Sequence, residues 1–256
     1  EQTLLDLITA ADARSLAVDV TVLNSDTHTK NSFGVPERGK VVASVFSALK
    51  GRTNVFYDIM NEHDHEGTPA SHSDIKALIK IARASNAGAL ITVSSTEPHL
   101  IDPDERLQPG NVDAEIDAGV DMLTPHLRRS PDWYLVTAAR VKMLKGYLEQ
   151  TGHVMPVYLN EEARRGYHDF YPPAGHLVDA LRAAHAAGVA GYNFHTGACF
   201  DLRKGTLFDQ LDAEEKKAVS MMPAVVFGGA RPAPASTRPS VQNIPMDAPT
   251  PSRPAS

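Results

Sequence analysis

The sequence has a single cysteine, no long apolar run and no basic cluster, and each of these absences excludes a class of protein. Cys199 stands alone, which rules out an internal disulfide framework and a cysteine-based zinc cluster. No apolar stretch approaches the roughly 20 residues of a membrane-spanning helix. The net charge is −6 and the basic residues are interspersed with acidic ones, which disfavours nucleic acid and anionic membranes. We therefore predict neither a nucleic-acid partner nor a membrane partner.

The length and hydrophobic content of the chain are sufficient for one large domain. The chain has 256 residues, of which 42% are hydrophobic, and α/β barrels of this length fold around a single core. Residues 231–256 hold seven of the 18 prolines, and such a Pro/Ala/Ser-rich segment cannot bury enough apolar surface to offset its ordering entropy. We predict one domain over residues 1–228 and a disordered tail over residues 229–256.

Six apolar, β-forming segments recur along the chain, with helical patterns between them. They are spaced 29 to 38 residues apart and end at Asn24, Glu62, Glu97, His126, Glu161 and His195. A (β/α)8 barrel spends roughly 31 residues on each strand-helix unit, although a doubly wound sheet could give a similar spacing. We predict an α/β fold of the (β/α)8 barrel type. Because about six units are visible instead of eight, two are expected to be missing on the N-terminal side.

Two of the predicted strands end in the pair Asn-Glu, at Asn61-Glu62 and at Asn160-Glu161. The C-terminal ends of the strands form the active face of parallel α/β folds, so both glutamates are expected to face one cavity. Paired carboxylates suit glycoside hydrolysis, in which one protonates the leaving oxygen and the other attacks the sugar or activates water.

Around these glutamates the sequence resembles clan A of the glycoside hydrolases, the cellulase-like superfamily of (β/α)8 barrels. The segment "DIMNE" resembles the clan's acid/base motif, and "PVYLNEEARRG" resembles its nucleophile motif. The resemblance implies that Glu62 is the acid/base, that Glu161 is the nucleophile, and that Asn61 holds the sugar 2-hydroxyl. It implies a retaining glycosidase that acts on carbohydrate and needs no metal or cofactor.

Three further residues are candidates for sugar binding by the same resemblance. "LTPHLRRS" supplies His126 near the cavity, and "GYNFHTG" supplies an aromatic platform in Tyr192 or Phe194, followed by His195. The alternation of Tyr192 and Phe194 equally suits a strand in which one of them packs the core. The arginine that the clan places near its nucleophile lies on the missing strands, and Trp133 lies at a helix start instead of the clan's usual strand-eight position.

The glycosidase mechanism also sets two physical expectations. The pKa of Glu62 is expected to be raised by burial and by an ionised Glu161. The two carboxyl groups are expected to be roughly 5 to 5.5 Å apart, as in retaining enzymes. As an alternative to a catalytic role, Glu161 could belong to a surface charge network with the adjacent Glu162, Arg164 and Arg165.

Two other functions fit parts of the sequence. His63 and His65, together with His126 and His195, could hold zinc in an amidohydrolase-like barrel. In that family, however, the His-x-His pair ends the first strand and an aspartate ends the last. Alternatively, the chain could be a non-catalytic barrel remnant that binds carbohydrate.

Overall fold

The structure is a computed structural model that describes residues 2–24, 34–65, 70–166, 169–197, 203 and 205–228. The tail predicted at 229–256 lies outside the described residues, and so does Cys199.

The strands are short and parallel, and they lie where the sequence predicts them. They are β1 (Val18–Asn24), β2 (Val55–Asn61), β3 (Leu90–Thr92), β4 (Ser94–Ser95), β5 (Thr124–Pro125), β6 (Tyr158–Leu159) and β7 (Gly191–Tyr192). β3 and β4 are two parts of one predicted strand, so the six predicted strand positions are confirmed. The pairs β1-β2, β2-β3, β4-β5 and β6-β7 are all parallel, and a parallel bridge between Leu123 and Val157 links the β5 segment to the β6 segment.

Helices alternate with these strands, as a (β/α) barrel requires. They are α1 (Gln2–Asp12), α2 (Val35–Ala48), α3 (His72–Ser85), α4 (Pro109–Ala118), α5 (Trp133–Gln150), α6 (Ala174–Ala186), α7 (Leu207–Gln210) and α8 (Ala213–Phe227). No helix in the described ranges is long and apolar enough to cross a membrane.

The start of α3 is fixed by a capping box. The Oγ of Ser71 accepts a hydrogen bond from the backbone N–H of Asp74, while the Asp74 carboxylate accepts one from the N–H of Ser71. This reciprocal pairing satisfies two donors at the helix end. His72 is consequently the first helical residue.

β2 is a nearly continuous apolar segment because it lies in the core of the protein. Tyr57, Ile59 and Met60 are buried, as is usual for parallel strands covered on both faces. Stacking of the Tyr57 ring on Phe46, with centroids 4.1 Å apart, packs β2 against α2. The buried strand therefore delivers Asn61 and Glu62 at a fixed place beyond its carboxyl end.

Within the described residues, the strand order runs from β1 to β7 and those two strands are not paired with each other. A cavity of about 480 Å³ opens between them, lined by residues that include Asp19, Tyr158 and Tyr192. The fold is therefore a partial (β/α) barrel, as predicted.

Candidate active site

Glu62 follows β2 directly and has an unusual backbone conformation. Its φ is +49°, in the left-handed region that residues other than glycine rarely adopt. Two hydrogen bonds to the neighbouring strand hold this turn: the N–H of Glu62 donates to Oγ of Ser94 (3.2 Å), and the N–H of His63 donates to the Ser94 carbonyl (3.1 Å). The Glu62 side chain is 26% exposed, so it is directed by a rigid turn and remains accessible.

The imidazole of His126 lies between the two glutamates identified from the sequence. Its Nδ1 is 3.0 Å from Oε1 of Glu62, and its Nε2 is 3.7 Å from Oε2 of Glu161. One ligand atom from each of Glu62, His126 and Glu161 lies within 4.8 Å of the other two. The ends of β2, β5 and β6 thus bring three of the predicted site residues together.

Glu161, just beyond β6, is paired with arginine. Nη2 of Arg129 is 2.7 Å from Oε1 of Glu161, and Nη2 of Arg164 is 3.8 Å from the same oxygen. The arginine that clan A enzymes place near the nucleophile is expected on the missing strands. In the structure Arg129, from the segment after β5, contacts this carboxylate.

The expected rise in the pKa of Glu62 is wrong for the free protein. The hydrogen bond with His126 lowers the pKa of Glu62, and this outweighs the opposing effect of burial, with His65 and Arg129 lowering it further. The reason is that a carboxylate accepting a hydrogen bond is stabilised in its charged form.

Asn61, the last residue of β2, belongs to a polar network below the glutamates. The hydroxyl of Ser94 lies 3.2 Å from Oδ1 of Asn61 and donates to Oδ2 of Asp58 at 2.6 Å. Asp58 is fully buried, and burial raises its pKa while the bonds from Ser94 lower it. This network orients the residues that precede Glu62.

Glu162 is buried and does not belong to a surface charge network, so this alternative interpretation of the segment after β6 does not hold for Glu162. It is 2% exposed, and burial raises its pKa to about 7 although the positive charges of Arg129 and Arg140 lower it. Arg165, by contrast, pairs with Asp212 at 2.5 Å. The Glu162 carboxyl is therefore buried, whereas the side chain of the preceding Glu161 is 19% exposed and belongs to the accessible site.

The structure places Tyr192 and His195 beside this centre. Tyr192 lines the cavity next to β1 and packs against buried apolar side chains of the core, while burial raises its pKa well above the ordinary value. This environment favours a packing role over an open sugar platform. Nδ1 of His195 is 3.0 Å from the Glu162 carbonyl and its Nε2 is 3.5 Å from Arg164. His195 therefore lies next to the arginine that flanks Glu161.

Two groups of side chains among the described residues have the spacing of metal ligands. One is the centre formed by Glu62, His126 and Glu161, and the other consists of His63, His72 and His99. Neither group combines His63 and His65 with His126 and His195. The ligand set of the amidohydrolase alternative is thus not assembled in the part of the chain that the structure describes.

Sequence reasoning missed Arg129 and Ser94 as members of the site. Both follow or end a predicted strand on the active face, in "LTPHLRRS" and "ALITVSSTE". Two consecutive arginines, Arg128 and Arg129, begin two residues after the strand-end His126, and this was a usable signal because the residues after a barrel strand line the active face.

Comparison with known proteins bears on the fold. No protein-family model and no curated protein matches the sequence. GH5_18 from Streptomyces cattleya in complex with Manβ1-4GlcNAc matches with a TM-score of 0.61 at 17% identity, over 91% of this chain and 68% of that one. The catalytic domain of Thermobifida fusca endoglucanase Cel5A matches with a TM-score of 0.57 at 18% identity, over 86% and 74%.

A triple mutant of the endo-β-1,4-glucanase from Xanthomonas axonopodis pv. citri also matches, with a TM-score of 0.61 at 15% identity, over 87% of this chain and 79% of that one. The chain therefore has the barrel fold of these glycoside hydrolases. The fold class and the resemblance predicted from the sequence are confirmed at this level. What a protein does on such a fold depends on its site residues.

Proposed function

We propose that this chain is a retaining glycoside hydrolase domain in which Glu62 is the acid/base and Glu161 is the nucleophile. The observation that carries the proposal is the separation of the two carboxylates: an oxygen of each lies within 4.8 Å of the other. Retaining glycosidases hold their carboxyl groups about 5 to 5.5 Å apart, whereas inverting enzymes need about 6.5 to 9.5 Å to admit a water molecule.

The contacts of Glu161 support its role as nucleophile. Arg129 is bound to Oε1, so the carboxylate is oriented by a charge-assisted hydrogen bond while Oε2 faces His126 and the site. Attack of Oε2 on the anomeric carbon would break the glycosidic bond and form a glycosyl ester. Glu62 would give its proton to the departing oxygen, and it would then take a proton from the water that hydrolyses the ester.

We propose that Asn61 and His195 contact the sugar, since both lie beside the glutamates, and that His126 positions Glu62. The solved structures with Manβ1-4GlcNAc and with cellotetraose make these two oligosaccharides the first substrates to test.

The test is covalent trapping with slow 2-fluoro glycosides of glucose and mannose that carry an activated leaving group. We expect one fluorosugar to add to the protein and to be found, by mass spectrometry of peptides, on Glu161. Glu162 is the internal control because it lies in the same peptide but is buried. Label on Glu162, or hydrolysis of cellotetraose with inversion at the anomeric carbon, would overturn the assignment. A protein that binds these sugars without hydrolysing any of them would instead favour the non-catalytic remnant.

A further inference from the structure

A second cluster of chemically active side chains lies on the far side of the Glu62 turn from His126. His63 follows Glu62, His72 begins α3, and His99 lies in the segment between β4 and α4. The ring centroids of these three histidines are 5.0 to 5.5 Å apart, and one ring nitrogen from each lies within 4.8 Å of the others.

The carboxylate of Glu115, from α4, completes the cluster. Its Oε1 is 3.5 Å from Nε2 of His63 and 3.8 Å from Nε2 of His99. The side chains of His63 and Glu115 are each only 1% exposed. Three segments of the barrel therefore bring three imidazoles together, and α4 adds a carboxylate beside two of them, His63 and His99.

The inward-facing atoms of this cluster make no hydrogen bonds within the described part of the protein. This holds for Nε2 of His63, of His72 and of His99, and for both carboxylate oxygens of Glu115. Leaving such groups buried without a hydrogen bond is destabilising, and more so for a charged group. The Glu115 carboxylate lies 3.5 and 3.8 Å from Nε2 of His63 and of His99 without a well-formed hydrogen bond to either, and a shared cation would satisfy these atoms better than apolar packing does.

The outward-facing Nδ1 atoms of His99 and His63, by contrast, have partners. Nδ1 of His99 is 3.2 Å from Oδ2 of Asp64, whose own carboxylate accepts hydrogen bonds from the backbone and the hydroxyl of Thr96 at 2.7 and 2.5 Å. Nδ1 of His63 is 3.4 Å from the carbonyl of Ala70. Donation of the outer N–H to a carboxylate or a carbonyl fixes the tautomer that leaves Nε2 as a ligand, and this is the usual arrangement around metal-bound histidine.

We propose that His63, His72, His99 and Glu115 form a binding site for a divalent transition-metal ion of the zinc type. Three imidazole nitrogens and one carboxylate oxygen are a donor set that suits zinc in a four-coordinate site. The ring centroids, 5.0 to 5.5 Å apart, are compatible with metal–nitrogen bonds of about 2.0 to 2.1 Å in a tetrahedral site. One carboxylate ligand and the nearby Asp64 also match the charge of a divalent cation.

The site would be structural, and it differs in position from the proposed catalytic centre. Its ligands join the turn after β2 to α3, to the segment before α4 and to α4 itself. Since His63 is the immediate neighbour of Glu62, a bound ion would fix the turn that carries the acid/base. The chemistry proposed for Glu62 and Glu161 does not pass through this ion.

The experiment uses the full chain, stripped with a chelator and then titrated with zinc chloride. We expect one equivalent of zinc by elemental analysis, a higher melting temperature with zinc, and the visible absorption of tetrahedral cobalt when Co²⁺ replaces it. His72→Ala should weaken zinc binding at least about tenfold, as expected for loss of a ligand, and Asp64→Asn should weaken it about 10- to 100-fold.

Two controls separate this cluster from other histidines. His185→Ala removes an exposed histidine of α6 and should leave zinc binding unchanged. His126→Ala alters the other group with metal-like spacing and should also leave it unchanged. The half-buried position of His72 makes its replacement compatible with folding, which circular dichroism checks. Binding of zinc at less than about a tenth of an equivalent to the wild type, or its loss in His126→Ala but not in His72→Ala, would overturn the proposal.

Discussion

Nδ1 of His126 lies 3.0 Å from Oε1 of Glu62, and this contact controls the protonation of the proposed acid. The hydrogen bond from His126 lowers the pKa of Glu62 below its ordinary value of 4.5. If the protonated form of Glu62 is the active one, kcat/KM should fall as the pH rises through this lowered pKa. We therefore expect an acidic pH optimum.

His126→Ala removes the interaction that lowers the pKa of Glu62, while the effect of burial, which raises it, remains. The falling limb of the profile of kcat/KM against pH should move to higher pH in this variant, measured with cellotetraose. A limb that stays in place, or moves to lower pH, would show that His126 does not set the pKa of Glu62.

Glu62→Ala should lower kcat/KM more for substrates with poor leaving groups than for substrates with activated ones. Proton donation contributes about 10²- to 10⁴-fold to rates, so a poor leaving group should lose a factor of this size and an activated aryl leaving group much less. The measurement is kcat/KM across a series of aryl glycosides. Glu149→Ala, which removes an exposed glutamate of α5, is the matched control and should leave the series unchanged. Equal losses for all leaving groups would exclude Glu62 as the acid.

Arg129→Met should remove the main cation bound to Glu161. A hydrogen bond to a charged group contributes about 1.5 to 3 kcal/mol, which corresponds to a loss of roughly 10- to 150-fold in kcat/KM. Arg128→Met is the control, because Arg128 is adjacent but its Nε lies 3.7 Å from Glu97 instead of contacting Glu161. Similar activity in the two variants would contradict the role given to Arg129.

Glu162→Gln should stabilise the protein in alkaline but not in acidic solution. Because burial raises the folded-state pKa of Glu162 from 4.5 to about 7, the native state holds a proton that the unfolded state releases. Stability should therefore decrease as the pH rises from 4.5 to 7. The amide is neutral at every pH, so it avoids a cost on the order of 3 kcal/mol above pH 7.

Melting temperatures of wild type and Glu162→Gln at pH 5 and pH 8 test this expectation. The exposed Glu149→Gln in α5 is the control and should show no such pH-dependent difference. A gain from Glu162→Gln that is equally large at both pH values would mean that ionisation of Glu162 is not its cause.

The strand positions and the proximity of Glu62 to Glu161 were predictable from the sequence. The regular spacing of apolar segments indicates the strands, and the two strand-end Asn-Glu pairs indicate the glutamates. What was not predictable depends on side-chain direction across the barrel. The lowered pKa of Glu62 arises from the ring of His126, which is distant in sequence, and Arg129 reaches Glu161 only because β5 and β6 are neighbours. His72 joins the histidine cluster because the Ser71 cap fixes where α3 begins. The burial of Glu162 beside the partly exposed Glu161 depends on the path of the chain after β6, which is only two residues long.

The positive φ of Glu62 has a consequence for selection. A residue other than glycine held in a sparsely populated backbone region costs about 1 to 3 kcal/mol, and glycine adopts this region without such strain. Selecting variants for heat resistance alone should therefore enrich glycine or asparagine at position 62, and these variants would lose the proposed proton donor. If glutamate is instead retained at position 62 during such an experiment, the selection has acted on hydrolysis and not on thermal stability.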